Sequence, residues 1–408
     1  MTETPTLKRS LSLTMVVLYG LGTTIGAGIY ALVGEIANVA GYFSPVSFFI
    51  ASLLAGFTAI SFSELCGRFP HTAGVALYIK QGFNSQRLST MAGLLVIAAG
   101  VVSAAALVNG FVGYVHQFIA IDRSFTIVIT ALLLGAIAMW GIAESVTIAC
   151  LITIVEIGGL LAVIVVSRSG LSEFSTRWTE LIPSADMLSW EGIYLGAVIS
   201  FYAFIGFEDM VDVAEEVKDV KRNLPNAILL TLAITATIYV LLMVTAVLSV
   251  APTELAAHQA PLSYLYEYHT GEKGVLISVI GMFAIINGAL IQMIMASRVI
   301  YGLSSRGQLP KYLSFIYPRT RTPLIATLVV TAVVLILALV GRLGSLAEMT
   351  SIIMLTIFAV VNLALWRIKH QDPNPVGIRI FPVWVPIIGF IVSFGFVLSE
   401  AIGFLKQL

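Results

Sequence analysis

Gly26, Ala27 and Gly28 stand together inside an apolar run, within the stretch Tyr19-Gly20-Leu21-Gly22-Thr23-Thr24-Ile25-Gly26-Ala27-Gly28-Ile29-Tyr30. Each glycine weakens a helix by about 1 kcal/mol relative to alanine, and four of them in so short a span predict local unwinding. At such a break a Gly-Ala-Gly sequence exposes adjacent N–H groups with no side chain over them, a nest suited to a carboxylate. Gly20 and Gly22 have a second reading, close approach of a neighbouring backbone. A comparable stretch, Ser200-Phe201-Tyr202-Ala203-Phe204-Ile205-Gly206-Phe207-Glu208-Asp209-Met210-Val211-Asp212, sets one glycine among bulky aromatics and follows it with three carboxylates. Carboxylates inside apolar segments are costly and mark functional positions; Glu208 here, and Glu156 in another apolar run, are candidate proton carriers.

The elements that hold these residues are set by an extreme composition. Of 408 residues 58% are hydrophobic and only 11% charged, with a mean hydropathy of +0.98, whereas soluble domains carry about 25% charge. A soluble enzyme is excluded. Lys plus Arg and Asp plus Glu are balanced at 22 each, so no basic face exists for nucleic acid. Cys66 and Cys150 sit in or beside apolar runs without CxxC or Cys/His spacing, and the five histidines show no paired spacing. No metal site, disulfide framework or cofactor is expected.

Eleven apolar runs are long enough to span a bilayer: 12–34, 44–65, 89–119, 124–142, 145–167, 191–214, 225–250, 274–304, 323–341, 346–367 and 382–404. The chain therefore reads as an all-α integral membrane protein of 11 transmembrane helices, forming one transporter-like domain over residues 1–408. The first run is too long for a signal-peptide core and lacks a clear cleavage site, so it is expected to remain as the first helix. With the N-terminus cytoplasmic, alternation places sixteen Lys and Arg residues at the inner face and six at the outer. That asymmetry follows the positive-inside rule and puts the C-terminus outside. The five tryptophans fall close to predicted span ends, as an aromatic belt requires. The two glycine-interrupted runs open helices one to five and six to ten. Interrupted segments at corresponding positions of two halves point to an inverted repeat, here about 12–167 and 191–367, plus an extra helix at 382–404.

These residues carry a resemblance to a family. The segment from Thr23 to Tyr30 resembles the first-helix signature of bacterial amino-acid permeases of the amino acid/polyamine/organocation (APC) family. Ala203 to Glu208, with Glu215-Glu216-Val217-Lys218 and Lys221 to Pro225, resembles its sixth-helix region. Ser297 to Tyr301, Arg306 to Lys311 and Thr322-Pro323 resemble the exit of the eighth helix, while Glu64-Leu65 and Arg68-Phe69-Pro70 resemble the second. The resemblance implies the LeuT-type fold, five helices plus five inverted with helices 1 and 6 discontinuous, and an amino acid as substrate. Many relatives carry a twelfth helix, which lies outside the repeat; the oligomeric state is left open.

The resemblance also implies a site. A zwitterion at the bilayer midplane needs both charges satisfied, and broken helices do this with backbone. The substrate carboxylate is expected at the N–H groups of Ala27 and Gly28, beside Ile25 and Gly26. The ammonium is expected at the carbonyls of Thr24, Tyr202 and Ile205, next to the Gly206 break. Ala99, Tyr202, Phe204 and Ile205 are expected to line the side-chain pocket, with ordinary core packing the alternative for the two aromatics. Ala99 stands where cationic-amino-acid relatives carry a glutamate, which favours neutral amino acids unless another carboxylate compensates.

Coupling follows the same comparison. Sodium-using relatives place paired Ser/Thr hydroxyls on helix eight, but from Gly281 to Ala296 this chain has only Asn287 and Gln292 as polar residues. Sodium is disfavoured and protons favoured, with Glu208 and Glu156 as coupling candidates; for Glu208 the alternative is a hydrogen bond that holds the unwound loop. Glu156 replaces a lysine found in some proton-driven relatives. Asp209, Asp212, Glu215 and Glu216 are expected near the inner interface, solvated or paired with Lys218, Lys221 and Arg222. An exchanger and a transport-inactive sensor on the same scaffold remain as alternatives. Intramembrane enzymes and channels are not supported, since neither HExxH nor a TVGYG-like filter occurs.

Overall fold

The computed structural model describes residues 9–26, 28–71, 74–140, 146–184 and 186–407. Among these residues the regular structure is helical. In chain order the helices are α1 (Leu13–Ile25), α2 (Gly28–Ala40), α3 (Ser44–Arg68), α4 (Gly74–Phe83), α5 (Gln86–Val115), α6 (Arg123–Trp140), α7 (Val146–Val166) and α8 (Arg168–Arg177). There follow α9 (Met187–Tyr202), α10 (Val220–Ser249), α11 (Pro252–Ala257), α12 (Pro261–Thr270), α13 (Val275–Ser305), α14 (Leu324–Val340), α15 (Leu343–Gln371) and α16 (Trp384–Gln407). Short 3-10 turns fill some connections, and a longer 3-10 segment, Phe207–Glu216, follows α9.

Local chemistry sets several starts and stops. Ser12 accepts the Met15 N–H at the start of α1, and Asp186 accepts the Ser189 N–H at the start of α9. These side chains supply partners that the first turn of a helix lacks. Gly271, at φ +72°, closes α12 in the left-handed conformation.

The described parts of the apolar runs read from the sequence coincide in the main with helical segments, the run 191–214 passing from α9 into the 3-10 segment. By length and composition, nine helical stretches are able to cross a membrane among the described residues; one of them, Gly28–Arg68, joins α2 to α3 through a 3-10 turn. The apolar helices α1 and α14 are shorter. Outward-facing leucines such as Leu151, 61% exposed, and Leu276, 70% exposed, give these helices a surface that suits hydrocarbon rather than water.

The two glycine-bearing runs are interrupted, with a difference from expectation in the first. Helix α1 continues through Gly20 and Gly22 and stops only at Ile25. A Cβ on Gly22 would strike the Thr153 hydroxyl of α7, and one on Gly20 would strike the Met210 sulfur, so both serve close packing. The second run ends as α-helix at Tyr202, turns through residues 203–206, and resumes as the 3-10 segment rather than α-helix.

At the ends of α3 and α15 a buried ion network joins three parts of the chain. Glu64, fully buried, accepts hydrogen bonds from Arg68 Nε at 3.0 Å and Nη2 at 2.8 Å. It also accepts from Lys369 Nζ at 2.6 Å and from the Phe381 N–H at 2.9 Å. Arg68 Nη1 in turn donates to the Asp372 carbonyl at 2.9 Å. Removing one charge from such a set leaves the others buried and uncompensated. Glu64→Gln is expected to lower stability by about 3 kcal/mol, read as a fall in the thermal midpoint of the detergent-solubilised protein. An unchanged midpoint would mean that water reaches Arg68 and Lys369 when the carboxylate is gone.

Candidate functional site

The two interruptions lie against one another. Gly206 sits at φ +126°, a conformation that a side chain disfavours, and a Cβ there would strike the Thr23 carbonyl. The Thr23 hydroxyl lies 3.0 Å from both the Gly20 and the Gly206 carbonyl oxygens, so its single proton is shared between its own helix and the other break. On the far side, a Cβ on Gly28 would stand 2.8 Å from Ala203 Cα. The start of α2 therefore rests directly on the end of α9.

A tyrosine from a third helix stitches the breaks together. The Tyr239 hydroxyl of α10 lies 3.1 Å from the Thr24 carbonyl and 3.1 Å from the Ala203 carbonyl. Both oxygens are left without a helical donor by the interruptions, and Tyr239 is fully buried. Phe48 and Phe204 pack on its ring, at centroid distances of 5.6 and 5.2 Å. Within the second break, the Ile205 N–H donates to the Tyr202 carbonyl at 3.2 Å, and the Gly206 N–H donates to Glu208 Oε2 at 2.9 Å.

Between the breaks lies a cavity whose walls include Thr24, Gly26 and Gly28 from the first and Tyr202 and Ile205 from the second. Ser103 of α5 and Asn287 and Gln292 of α13 complete its polar lining, with Asp209 at one edge. The Tyr202 hydroxyl is 2.9 Å from the Ser103 hydroxyl. Thr24 is only 2% exposed, and among the described residues its hydroxyl has no hydrogen-bond partner. A second cavity adjoins the first, sharing Ser103, Ile205, Asp209 and Gln292 with it.

The residues singled out in the sequence divide among these places. Thr24, Gly26, Gly28, Tyr202 and Ile205 meet on the first cavity. The Gly26 N–H closes back on the Gly22 carbonyl at 3.3 Å, so donors for an anion there have to come from further along. Ala27 lies outside the described residues. Ile25 is fully buried at the end of α1, off the cavity wall, and Phe204 is fully buried against Phe48 and Tyr239. Ala99 lies on the second cavity with Glu208. Gly206 forms the turn itself. Glu156, 2% exposed on α7, stands behind the first break, its carboxylate oxygens 3.6 and 3.8 Å from the position a Gly26 Cβ would take. Its main-chain carbonyl accepts the Tyr30 hydroxyl at 2.6 Å.

Tyr239 and Asp209 are additions from the structure. Tyr239 lies in α10 among several threonines, and nothing in the sequence sets its hydroxyl apart from theirs. Asp209, read from sequence as an interfacial residue, instead lines both cavities.

A bundle of membrane-length apolar helices with two apposed interruptions around a polar cavity has the form of a multi-pass transporter, and comparison with known proteins gives its family. The chain matches the amino acid permease family over residues 10–407 and belongs to that family. It is 30% identical to an uncharacterised transporter of Mycobacterium tuberculosis, over 95% of this chain and 86% of that one. It is 27% identical to the vacuolar cationic amino acid transporter 4 of Arabidopsis thaliana, over 91% of this chain but only 65% of that longer protein. With the branched-chain amino acid permease BcaP of Bacillus subtilis the identity is 24%, over 90% and 82% of the two chains. These are transporters rather than enzymes.

Tyr239 is the most direct test of the stitched breaks. Tyr239→Phe keeps the ring packing and removes the hydroxyl, so stability is expected to fall by roughly 1 kcal/mol and amino-acid affinity to fall several-fold. Thermal unfolding in detergent and a binding titration measure the two effects. An unaltered affinity would show that the Thr24 and Ala203 carbonyls hold their places without it.

Proposed function

We propose that this permease is a secondary active transporter that moves amino acids across the cytoplasmic membrane by alternating access. The observation that carries the reading is the cavity bounded by both helix interruptions, where free backbone groups can satisfy a zwitterion without charged side chains. The substrate carboxylate lies at the N-terminal end of α2, at Gly28, where first-turn N–H groups and the helix dipole favour an anion; Ala27, expected from the sequence to share this role, lies outside the described residues. The ammonium takes the carbonyl side, at Thr24, Tyr202 and Ile205; the hydrogen bonds that Tyr239 and Ile205 already make leave each oxygen a second lone pair.

Eleven spans and a five-plus-five inverted repeat fit the helix packing. Elements at equal positions in the two halves pack on one another, α3 on α10, α5 on α13 and α6 on α14. Unequal pairs recur in mirrored form: α1 on α10 matches α3 on α9, and α1 on α7 matches α9 on α15. A two-fold relation between repeats generates this pattern, and rocking of one set against the other then moves the site between faces. The N-terminus is cytoplasmic and the C-terminus outside.

Neutral amino acids are the primary substrates, since Ala99, Ile205 and Val96 give the side-chain space apolar walls. Protons are the coupling ion. The cavity face of α13 offers Asn287 and Gln292 but no paired hydroxyls for sodium. Glu208 and Glu156 each touch one break, Glu208 through the Gly206 N–H and Glu156 from behind Gly26, so that protonation of either bears on the shape of the site.

The test is uptake by purified protein in liposomes of labelled alanine, serine, leucine, glutamate and arginine, under an inward proton gradient, a sodium gradient or internal amino acid alone. Concentrative, saturable uptake of alanine or leucine driven by protons is expected. Glu208→Gln or Glu156→Gln should abolish accumulation by at least tenfold while counterflow exchange persists. Flux that requires only internal substrate would make the protein an exchanger. Sodium dependence would overturn the proton assignment, and binding without flux would indicate a sensor.

A further inference from the structure

The cavity adjoining the substrate site combines three carboxylates with apolar side chains in its lining. Glu208, Asp209 and Asp212 line it from the 3-10 segment after the second break, with Ala99 of α5 among the residues that complete it. Among its described lining residues none is Lys, Arg or His. The described ion pairs leave these three carboxylates without a cation; the acidic residues they engage are Glu64, Asp372, Glu215, Glu173 and Glu180. Lys218, Lys221 and Arg222, close in sequence, appear in none of them. Glu208 is already engaged by the Gly206 N–H. Asp209 is the carboxylate common to both cavities, and among the described residues that line the one between the breaks it is the only charged side chain.

An independent feature of the cavity between the breaks, which Asp209 also lines, points to a polar ligand. Thr24 is almost wholly shielded from solvent and lines this cavity, and its hydroxyl has no hydrogen-bond partner among the described residues. Buried hydroxyls are ordinarily hydrogen-bonded, so this one is shaped to meet something polar in the cavity. Ser103, Ile205 and Gln292, shared by both cavities, mark the passage from the break toward the acidic wall. Ala99 and Val96 line the second cavity together with Asp209, an apolar surface against which the methylenes of a long side chain can lie.

We propose that Asp209 is the specificity-determining residue for amino acids with a cationic side chain, whose ammonium or guanidinium it meets while the main-chain charges remain at the two breaks. Cationic amino acids are then substrates alongside neutral ones, and acidic side chains are rejected by like charge. This rests on the reading that an amino acid binds at the breaks, and it corrects the weight given to Ala99: the absence of a carboxylate on α5 is met by one on the opposite wall.

The experiment is competition by lysine, arginine and glutamate against labelled leucine in liposomes, repeated with Asp209→Asn and Asp209→Glu. In the unmodified protein lysine or arginine is expected to compete and glutamate to fail. The lysine-to-leucine selectivity ratio should fall at least tenfold in Asp209→Asn and recover in Asp209→Glu, which keeps the charge. Leucine uptake without lysine competition, or an unchanged ratio in Asp209→Asn, would overturn the proposal while sparing the site at the breaks. Leucine uptake that requires sodium or potassium over choline, and loses that requirement in Asp209→Asn, would assign the wall to an inorganic cation and overturn it too. Absence of binding for every amino acid would remove the site at the breaks, and with it this inference.

Discussion

A helix interrupted inside an apolar bundle leaves N–H and carbonyl groups without partners in a medium that supplies none, and most of the central architecture answers that constraint. Thr23 shares its proton between the Gly20 carbonyl of its own helix and the Gly206 carbonyl of the second break, Tyr239 shares its own between Thr24 and Ala203, and Glu208 turns back to accept the Gly206 N–H. Each of these groups comes from a different place: α1 itself, α10, and the segment beyond the second break. The breaks are thus held by tertiary structure rather than by local preference. Oxygens satisfied by a single shared proton remain able to accept a further donor, and that residual capacity is what a substrate ammonium needs.

Packing around the breaks is correspondingly tight. Gly22 and Gly20 admit Thr153 and Met210 to the backbone of α1, while Gly28 admits Ala203. Van der Waals contact between backbones is the main attraction available to helices in lipid, where burial of apolar surface gives little. Small residues on α1 and α2 therefore let three neighbours approach one broken helix closely. Polar contacts hold the periphery: the Glu64 network ties α3 to α15, and the Leu11 and Lys218 N–H groups bind the Glu216 and Leu11 carbonyls, at 3.0 and 2.9 Å. That last pairing links the entry to α1 with the exit from the second break.

Much of this was legible in sequence, for reasons that differ by residue. The interruptions were marked by glycine, whose helix cost is intrinsic, and by carboxylates whose cost in lipid is large. The run from Tyr19 to Tyr30 nevertheless unwinds only after Ile25, because Gly20 and Gly22 are held in helix by the atoms that pack on them, a tertiary effect without local signature. Phe204 and Tyr202 are two residues apart in one aromatic run, yet one enters the core and the other the cavity. Which of them did so depended on the turn at residues 203–206, whose course composition does not specify. Tyr239 carried no sequence signal of its own, since its hydroxyl is one of several on α10, alongside those of Thr231, Thr235, Thr237 and Thr245.

Asp209 shows how position within a break changes the meaning of a charge. Counting along the chain from Glu208 toward Lys218 suggests a ramp of residues passing from membrane to water, in which Asp209 is merely early. The 3-10 geometry of Phe207–Glu216 alters that ramp, since three residues per turn rather than 3.6 rotate successive side chains by a larger angle. Glu208 turns back to the Gly206 N–H, while Asp209 lines the cavity between the breaks and Asp212 the adjoining one. A segment that began as an electrostatic liability in lipid becomes the wall of a polar path, shielded from hydrocarbon by the helices that enclose it. The carboxylates are tolerable there because they line cavities rather than face hydrocarbon, the arrangement in which ionisable groups are accommodated at membrane depth.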